Sequence, residues 1–80
     1  MTTTIELSYY PLRDDYPSAV LQFLEKLRSI PNTEMETNGM STILIGPYKT
    51  LWQELGVLIE SEFGTASPLF VIKIAPGRRE

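Results

Sequence analysis

The sequence predicts one α+β domain with the element order strand, helix, strand, strand, helix, strand. Two stretches carry apolar residues every three or four positions, which is typical of helices with one buried side. Several short runs are rich in β-branched and aromatic residues, and an Asn-Gly pair separates two of them. With 80 residues the chain has room for a single core.

The first half predicts a strand and a helix. Residues 5–12 alternate, with Ile5, Leu7 and Tyr9 on one face, as in a strand with one buried side. The segment Arg13-Asp14-Asp15 breaks the strand and offers an N-cap for the helix that follows, and a proline directly after the apolar stripe ends that helix. The stripe comprises Tyr16, Val20, Phe23, Leu24, Leu27 and Ile30.

The middle of the chain predicts a hairpin of one weak and one strong strand. Residues 32–37 are polar except for Met35, which suits the edge of a sheet. Asn38 and Gly39 favour a type I′ turn, since both positions of that turn need a positive φ. The strong strand runs from Met40 to Gly46 around an Ile-Leu-Ile core.

The last third predicts a second helix and a final strand. Pro47 lies near the helix start, Gly64 is expected as a left-handed C′ residue, and the strand covers residues 69–74. A polar tail from about Pro76 is expected to fray. The complete order matches the ferredoxin-like βαββαβ unit, with strands one and three in the centre of a four-stranded antiparallel sheet and both helices on one face. The second helix's apolar stripe, in which tryptophan is expected to join the core, comprises Tyr48, Leu51, Trp52, Leu55, Leu58, Ile59 and Phe63.

Composition excludes several function classes. The chain has no cysteine and no histidine, which rules out disulfides, Cys/His zinc sites and His-based catalysis. A net charge of −3 does not favour a nucleic-acid partner. No apolar run reaches membrane-spanning length, and no signal peptide is recognisable. We therefore expect a cytoplasmic, non-enzymatic protein without a cofactor, a metal or a membrane partner.

The third and fourth strands carry apolar residues on both faces. In the fourth, Phe70 and Ile72 lie opposite Leu69 and Val71, and residues 43–45 do the same in the third. Because two helices cover only one face of a sheet, the other face needs a second cover. The sequence therefore predicts that copies of the chain assemble through it, as a homodimer or homotetramer.

Three stretches carry a resemblance to a known family: Ser8–Leu12, Glu36–Thr42 and Phe70–Ile74. Over nearly the whole chain the sequence resembles single-domain members of the YkoF-like family, which bind thiamine or its hydroxymethylpyrimidine moiety. The resemblance implies a ferredoxin-like fold, dimers or tetramers, and a ligand held near the sheet. The heptad across the hairpin is its most specific part.

Thiamine joins an aminopyrimidine, which needs donors and acceptors, to a cationic thiazolium ring, which favours aromatic faces and carboxylates. Glu36 is either a partner for these groups or a solvated edge charge, and Asn38 is first of all a turn residue. Ser41 and Thr42 are either ligand donors or ordinary strand positions. Tyr10 is favoured over Tyr9, which is expected in the core. The candidate ligand-binding residues are Ser8, Tyr10, Glu36, Asn38, Met40, Ser41 and Thr42.

Two function hypotheses follow. The first is a non-catalytic protein that binds thiamine or hydroxymethylpyrimidine in a pocket near the sheet and the subunit interface. The second is a regulatory or structural module whose second sheet face meets another protein. Ferredoxin-like domains serve many roles, so the fold alone does not decide between them.

Overall fold

The computed structural model describes residues 1–64 and 67–79. Its element order is the predicted one. The four strands form an antiparallel sheet in the order β2-β3-β1-β4, with β1 and β3 central as predicted. The elements are β1 (Thr2–Tyr10), α1 (Tyr16–Arg28), β2 (Glu34–Thr37), β3 (Thr42–Pro47), α2 (Tyr48–Glu62) and β4 (Leu69–Pro76).

One core lies between the sheet and the two helices. Directly paired residues share a face, so Ile5 of β1 and its partner Leu44 of β3 point the same way, and both are fully buried. We call this side the helix face, and the side that carries Glu6, Ile43 and Lys73 the open face. The buried core comprises Ile5, Leu7, Phe23, Leu27, Ile30, Leu44, Leu51 and Leu55.

The aromatic flank of α2 differs from the prediction. Trp52 is 44% exposed and Phe63 is 59% exposed, so neither joins the core. Leu51 and Leu55 are fully buried and fix which side of the helix faces inward. Trp52 follows Leu51 by one position, about 100° around the helix axis, and therefore lies on the flank.

The hairpin loop also differs from the prediction. Among the described residues, only Leu12, Asn32 and Gly77 have positive φ, so residues 38–41 do not form a type I′ turn. Instead, the side-chain oxygen of Asn38 accepts hydrogen bonds from the backbone N–H groups of Met40 (2.7 Å) and Ser41 (3.0 Å). An Asn side chain can satisfy a loop's own backbone in this way, so positive φ is not needed.

Two details of the helix termini differ from the prediction. The side chain of Asp15 makes no capping hydrogen bond to α1 and binds Arg13 instead. Gly64 does not adopt the left-handed conformation, and α2 ends at Glu62 with Phe63 as a right-handed C-cap.

Residues 77–79 of the tail cross the open face, whereas the sequence predicted that the tail frays. Gly77, whose φ is +76°, turns the chain, and its carbonyl accepts a hydrogen bond from Thr4 Oγ1 at 2.8 Å. The guanidinium of Arg78 pairs with Glu34 of β2. Because Glu34 is the register partner of Ile45, Arg78 reaches the end of the open face where Ile45 is buried.

Candidate functional site

A cavity of about 670 Å³ opens between α1 and the hairpin end of the sheet. Its volume lies within the usual range for small-molecule sites. Three segments line it: Leu7, Tyr9, Tyr10, Pro11, Leu12 and Arg13 from β1 and its following loop; Tyr16, Pro17, Val20, Leu21, Phe23, Leu24 and Leu27 from α1; and Thr37, Asn38, Gly39, Met40, Ser41 and Thr42 from the hairpin.

Unequal strand pairing places the cavity there. β1 pairs with β3 only as far as Leu7, opposite Thr42, but it continues beside β4 to Tyr10, opposite Leu69. The last residues of β1 therefore extend past the end of the β3 ladder. The hairpin loop and the first half of α1 flank this projecting end, and a notch remains between them.

Tyr9 and Phe23 form the inner wall of the cavity, and Phe70, which is not part of the lining, packs against both rings. The ring of Tyr9 is nearly parallel to that of Phe70, with centroids 4.8 Å apart and an interplanar angle of 10°. It is tilted by 47° against Phe23 at 4.7 Å. Such contacts hold the rings in fixed positions, so this side of the cavity is preformed.

The Tyr9 hydroxyl is anchored behind this wall. It donates a 2.6 Å hydrogen bond to Glu62 Oε1, and Lys26 Nζ donates to Glu62 Oε2 at 3.1 Å. Burial, the hydrogen bond to Glu62 and the Glu62 charge raise the pKa of Tyr9 to about 12. The Tyr9 hydroxyl therefore stays protonated at neutral pH and keeps its hydrogen bond to Glu62.

The hairpin supplies most of the polar groups in the lining. The hydroxyls of Thr37 and Thr42 lie 2.9 Å apart and bond to each other. Asn38 uses its carbonyl oxygen within the loop, whereas its amide nitrogen donates to no acceptor in the described part of the chain. Ser41 Oγ donates to Glu6 Oε2 on the open face at 3.2 Å.

Arg13 is the charged residue of the lining. Its guanidinium binds Asp15 in a two-pronged pair, with 2.7 Å between Nη2 and Oδ2. This hydrogen bond lowers the pKa of the Asp15 carboxyl. Within residues 1–64 and 67–79, no carboxylate lines the cavity.

The rim is apolar and open to water. Leu12 and Met40 are 67% and 85% exposed, and Tyr16 and Leu21 are also exposed. Leu12 has a φ of +56°, which is uncommon for a residue with a branched side chain. Exposed apolar side chains around a concave surface are typical of a binding site.

The structure divides the candidate residues into two groups. Tyr10, Asn38, Met40, Ser41 and Thr42 line the cavity together. The other two, Ser8 and Glu36, are not part of its lining.

These two residues belong to the open face. Glu36 pairs with Ile43, and Ser8 lies two residues beyond Glu6 along β1. The Ser8 hydroxyl donates a long 3.4 Å hydrogen bond to the carbonyl of Met40. Tyr10 lies at the boundary between the cavity and the open face and is 46% exposed.

Sequence reasoning missed the contribution of α1. It assigned Tyr16, Val20 and Leu24 to the buried stripe, but Tyr16 is 59% exposed and all three line the cavity. Leu21 could have indicated this role of α1 from the sequence, because a leucine outside the predicted stripe suggests a second apolar surface. In the part of the chain that the structure describes, no cluster of acidic residues could hold a metal ion. No described helix is long and apolar enough to cross a membrane.

Comparisons with known proteins show the fold. A crystal structure from Streptococcus pneumoniae is 22% identical, with a TM-score of 0.78 over 98% of this chain and 89% of that one. A hypothetical protein from Methanocaldococcus jannaschii is 18% identical, with a TM-score of 0.79 over 99% of this chain and 84% of that one.

A third similar structure is a Thermotoga maritima protein assigned provisionally to thiamine biosynthesis or salvage. It is 15% identical, with a TM-score of 0.81 over 96% of this chain and 85% of that one. No protein-family model and no curated protein matches the sequence. These similarities establish a ferredoxin-like domain, and membership of the YkoF-like family stays a prediction.

Proposed function

We propose that this chain is a non-catalytic protein that binds thiamine or its hydroxymethylpyrimidine moiety in the cavity between α1 and the hairpin. The observation that carries the proposal is the convergence of the Asn38–Thr42 loop with aromatic residues around about 670 Å³ of open space. The thiamine-related assignment of the Thermotoga maritima structure supports the choice of ligand.

The lining suits a flat ring with polar edges. Tyr10 and Tyr16 are partly exposed at the cavity and offer faces for stacking. The amide nitrogen of Asn38 is available to donate a hydrogen bond to a ring nitrogen. The paired hydroxyls of Thr37 and Thr42 can exchange their mutual bond for one to an amino or hydroxymethyl group.

The chemistry of the lining supports binding without catalysis. The Tyr9 hydroxyl titrates near pH 12 and is bonded to Glu62. The cationic lining residue, Arg13, is neutralised by Asp15. General acid–base catalysis works best with a group whose pKa lies near the operating pH.

Calorimetric titration with hydroxymethylpyrimidine and thiamine tests the proposal. We expect saturable, stoichiometric heat at ligand concentrations up to ~1 mM, a range that detects even weak binding. Tyr16→Ala removes a ring from the cavity rim and should weaken binding. Tyr48→Ala is the matched control, because Tyr48 is also the first residue of a helix but lies outside the cavity.

The outcomes separate clearly. If neither compound produces heat, the proposal fails. If Tyr48→Ala weakens binding as much as Tyr16→Ala does, the site lies elsewhere on the molecule.

We also propose that the chain forms a homodimer or homotetramer through the open face. Leu69 and Val71 on this face are 54% and 46% exposed, so a second copy could bury them. Lys73 and Glu36 lie at opposite ends of one row across the sheet, joined through Glu6 and Ile43. A two-fold axis parallel to the strands would place Lys73 over Glu36 of the partner subunit.

Sedimentation equilibrium at micromolar concentration tests the assembly. A dimer or tetramer that Val71→Glu dissociates would support it, whereas a monomeric wild type would refute it. The same exposed residues favour the alternative function, in which the open face meets a different protein. A monomer that binds neither compound would favour that alternative.

A further inference from the structure

The cavity combines an aromatic and hydroxyl lining with a shortage of negative charge. Arg13 is the charged side chain among its described lining residues, and no aspartate or glutamate joins it. Cation sites in proteins normally carry a carboxylate or several uncovered aromatic faces.

Several carboxylates lie near the cavity without lining it, and one of them, Asp15, is paired with the guanidinium of Arg13. Glu6 accepts from Ser41 and lies 3.7 Å from Lys73 on the open face. Glu62 lies behind the aromatic wall, bonded to Tyr9 and Lys26. Glu36 also belongs to the open face.

We propose that this cavity selects neutral planar aromatic compounds over cationic ones of the same shape. Its physiological ligand would then be recognised through a neutral heteroaromatic ring such as hydroxymethylpyrimidine, and not through the thiazolium cation of thiamine. The inference rests on the proposed function, because it assigns the ligand to the same cavity.

Desolvation gives the physical reason. A cation that enters the cavity loses part of its hydration shell, and no carboxylate replaces that shell. The Tyr9 ring is already stacked on Phe70 and tilted against Phe23, so these inner aromatic faces are largely occupied. The remaining rings, Tyr10 and Tyr16, are partly exposed, and water weakens their attraction for a cation.

The test is a pair of probes that differ in charge and by one methyl group. Quinoline is neutral near physiological pH, and N-methylquinolinium carries a positive charge within the same fused ring. Calorimetry on the wild-type protein should show quinoline binding at least about tenfold more tightly. Equal or tighter binding of the cation, or no heat from either probe at ~1 mM, would overturn the inference.

A charge inserted into the lining tests the cause. Thr37 is exposed and lines the cavity, so Thr37→Glu adds a carboxylate without opening the core. Thr37→Gln is the matched neutral control. We expect the preference for quinoline in Thr37→Glu to be at least about tenfold below that in Thr37→Gln, since the two variants differ at this position only in charge. An unchanged preference in a folded Thr37→Glu protein would contradict the inference.

Failure of this inference differs from failure of the proposed function. If thiamine binds tenfold more tightly than hydroxymethylpyrimidine, the proposed function stands and the charge selection is overturned. If neither natural compound binds but quinoline is still preferred tenfold over its cation, the proposed function fails and the charge selection is supported.

Discussion

Replacing Tyr9 with phenylalanine removes one hydroxyl and leaves the ring that forms the cavity wall. That hydroxyl donates a 2.6 Å hydrogen bond to Glu62, a carboxylate of which only 7% is exposed. A hydrogen bond to a charged group contributes about 1.5–3 kcal/mol to the free energy of unfolding. Lys26 still contacts Glu62 in the variant, so we expect a loss near the lower end, about 1.5–2 kcal/mol.

Urea unfolding at neutral pH measures this loss. For a domain of this size, it corresponds to a fall in Tm of roughly 6–16 °C. Tyr48→Phe is the control, because Tyr48 is 42% exposed and no hydrogen bond of its hydroxyl is found among the described residues. The free energy of unfolding of this variant should stay within about 0.5 kcal/mol of wild type. A Tyr9→Phe protein as stable as wild type would refute the assignment of Glu62 as a strong acceptor.

The same variant predicts a pH dependence. The pKa of Tyr9 is raised from 10.0 to about 12, so folding favours the protonated hydroxyl. Its stabilising contribution is therefore complete below pH 10.0 and is lost as the pH rises towards about 12. The stability difference between wild type and Tyr9→Phe should shrink over that window. A difference that grows with pH would contradict the raised pKa.

Four further predictions concern the scaffold, each measured by chemical denaturation. Gly46→Ala should destabilise by about 1–3 kcal/mol, because its Cβ would lie 3.0 Å from the backbone oxygen of Asn32. Gly56→Ala, in α2 with nothing within 4 Å, should stabilise by about 0.5–1 kcal/mol, and a loss there would contradict the open space. Asn38→Ala should cost about 1 kcal/mol, since two loop N–H groups lose their acceptor, and no effect would refute the loop geometry. Arg78→Ala should cost at most about 1 kcal/mol, because the Arg78 ion pair is exposed, and a larger loss would show that the tail contributes more.

The fold was predictable because its information is local. Period-two alternation in β1 placed Tyr9 on the core side and Tyr10 on the other side, and in the structure Tyr9 is half-buried against the core whereas Tyr10 is exposed. The polar composition of β2 correctly indicated an edge strand. Pro31 correctly marked the region where α1 ends, since a proline disfavours helical geometry in the residue before it.

The errors arise where distant contacts or side-chain hydrogen bonds decide. Dipeptide preference suggested a type I′ turn, but the Asn38 side chain closes the loop without positive φ. Helical spacing alone could not show that α2 would turn Glu62 inward and Trp52 towards the flank. The hydrogen-bond partners of Glu62, which are Tyr9 and Lys26, lie more than thirty positions away in the chain.

The sequence indicated only part of the cavity lining. The Asn38–Thr42 loop could be proposed from the family resemblance, and it does line the cavity. The α1 wall depends on how far β1 extends beyond β3, which is a property of strand register that no local pattern encodes. Glu36 became a candidate through the resemblance of the hairpin heptad, with a solvated edge charge as the alternative, and the alternation of strand side chains puts it on the open face.

An NMR titration of the labelled protein with hydroxymethylpyrimidine shows where on the molecule the ligand binds. If the cavity is the ligand site, saturable shift changes should concentrate on the amides of residues 37–42 and 10–24. The amides of Glu6, Ile43 and Lys73 on the open face should change little. Shift changes centred on the open face, or none at millimolar ligand, would rule out ligand binding in the cavity.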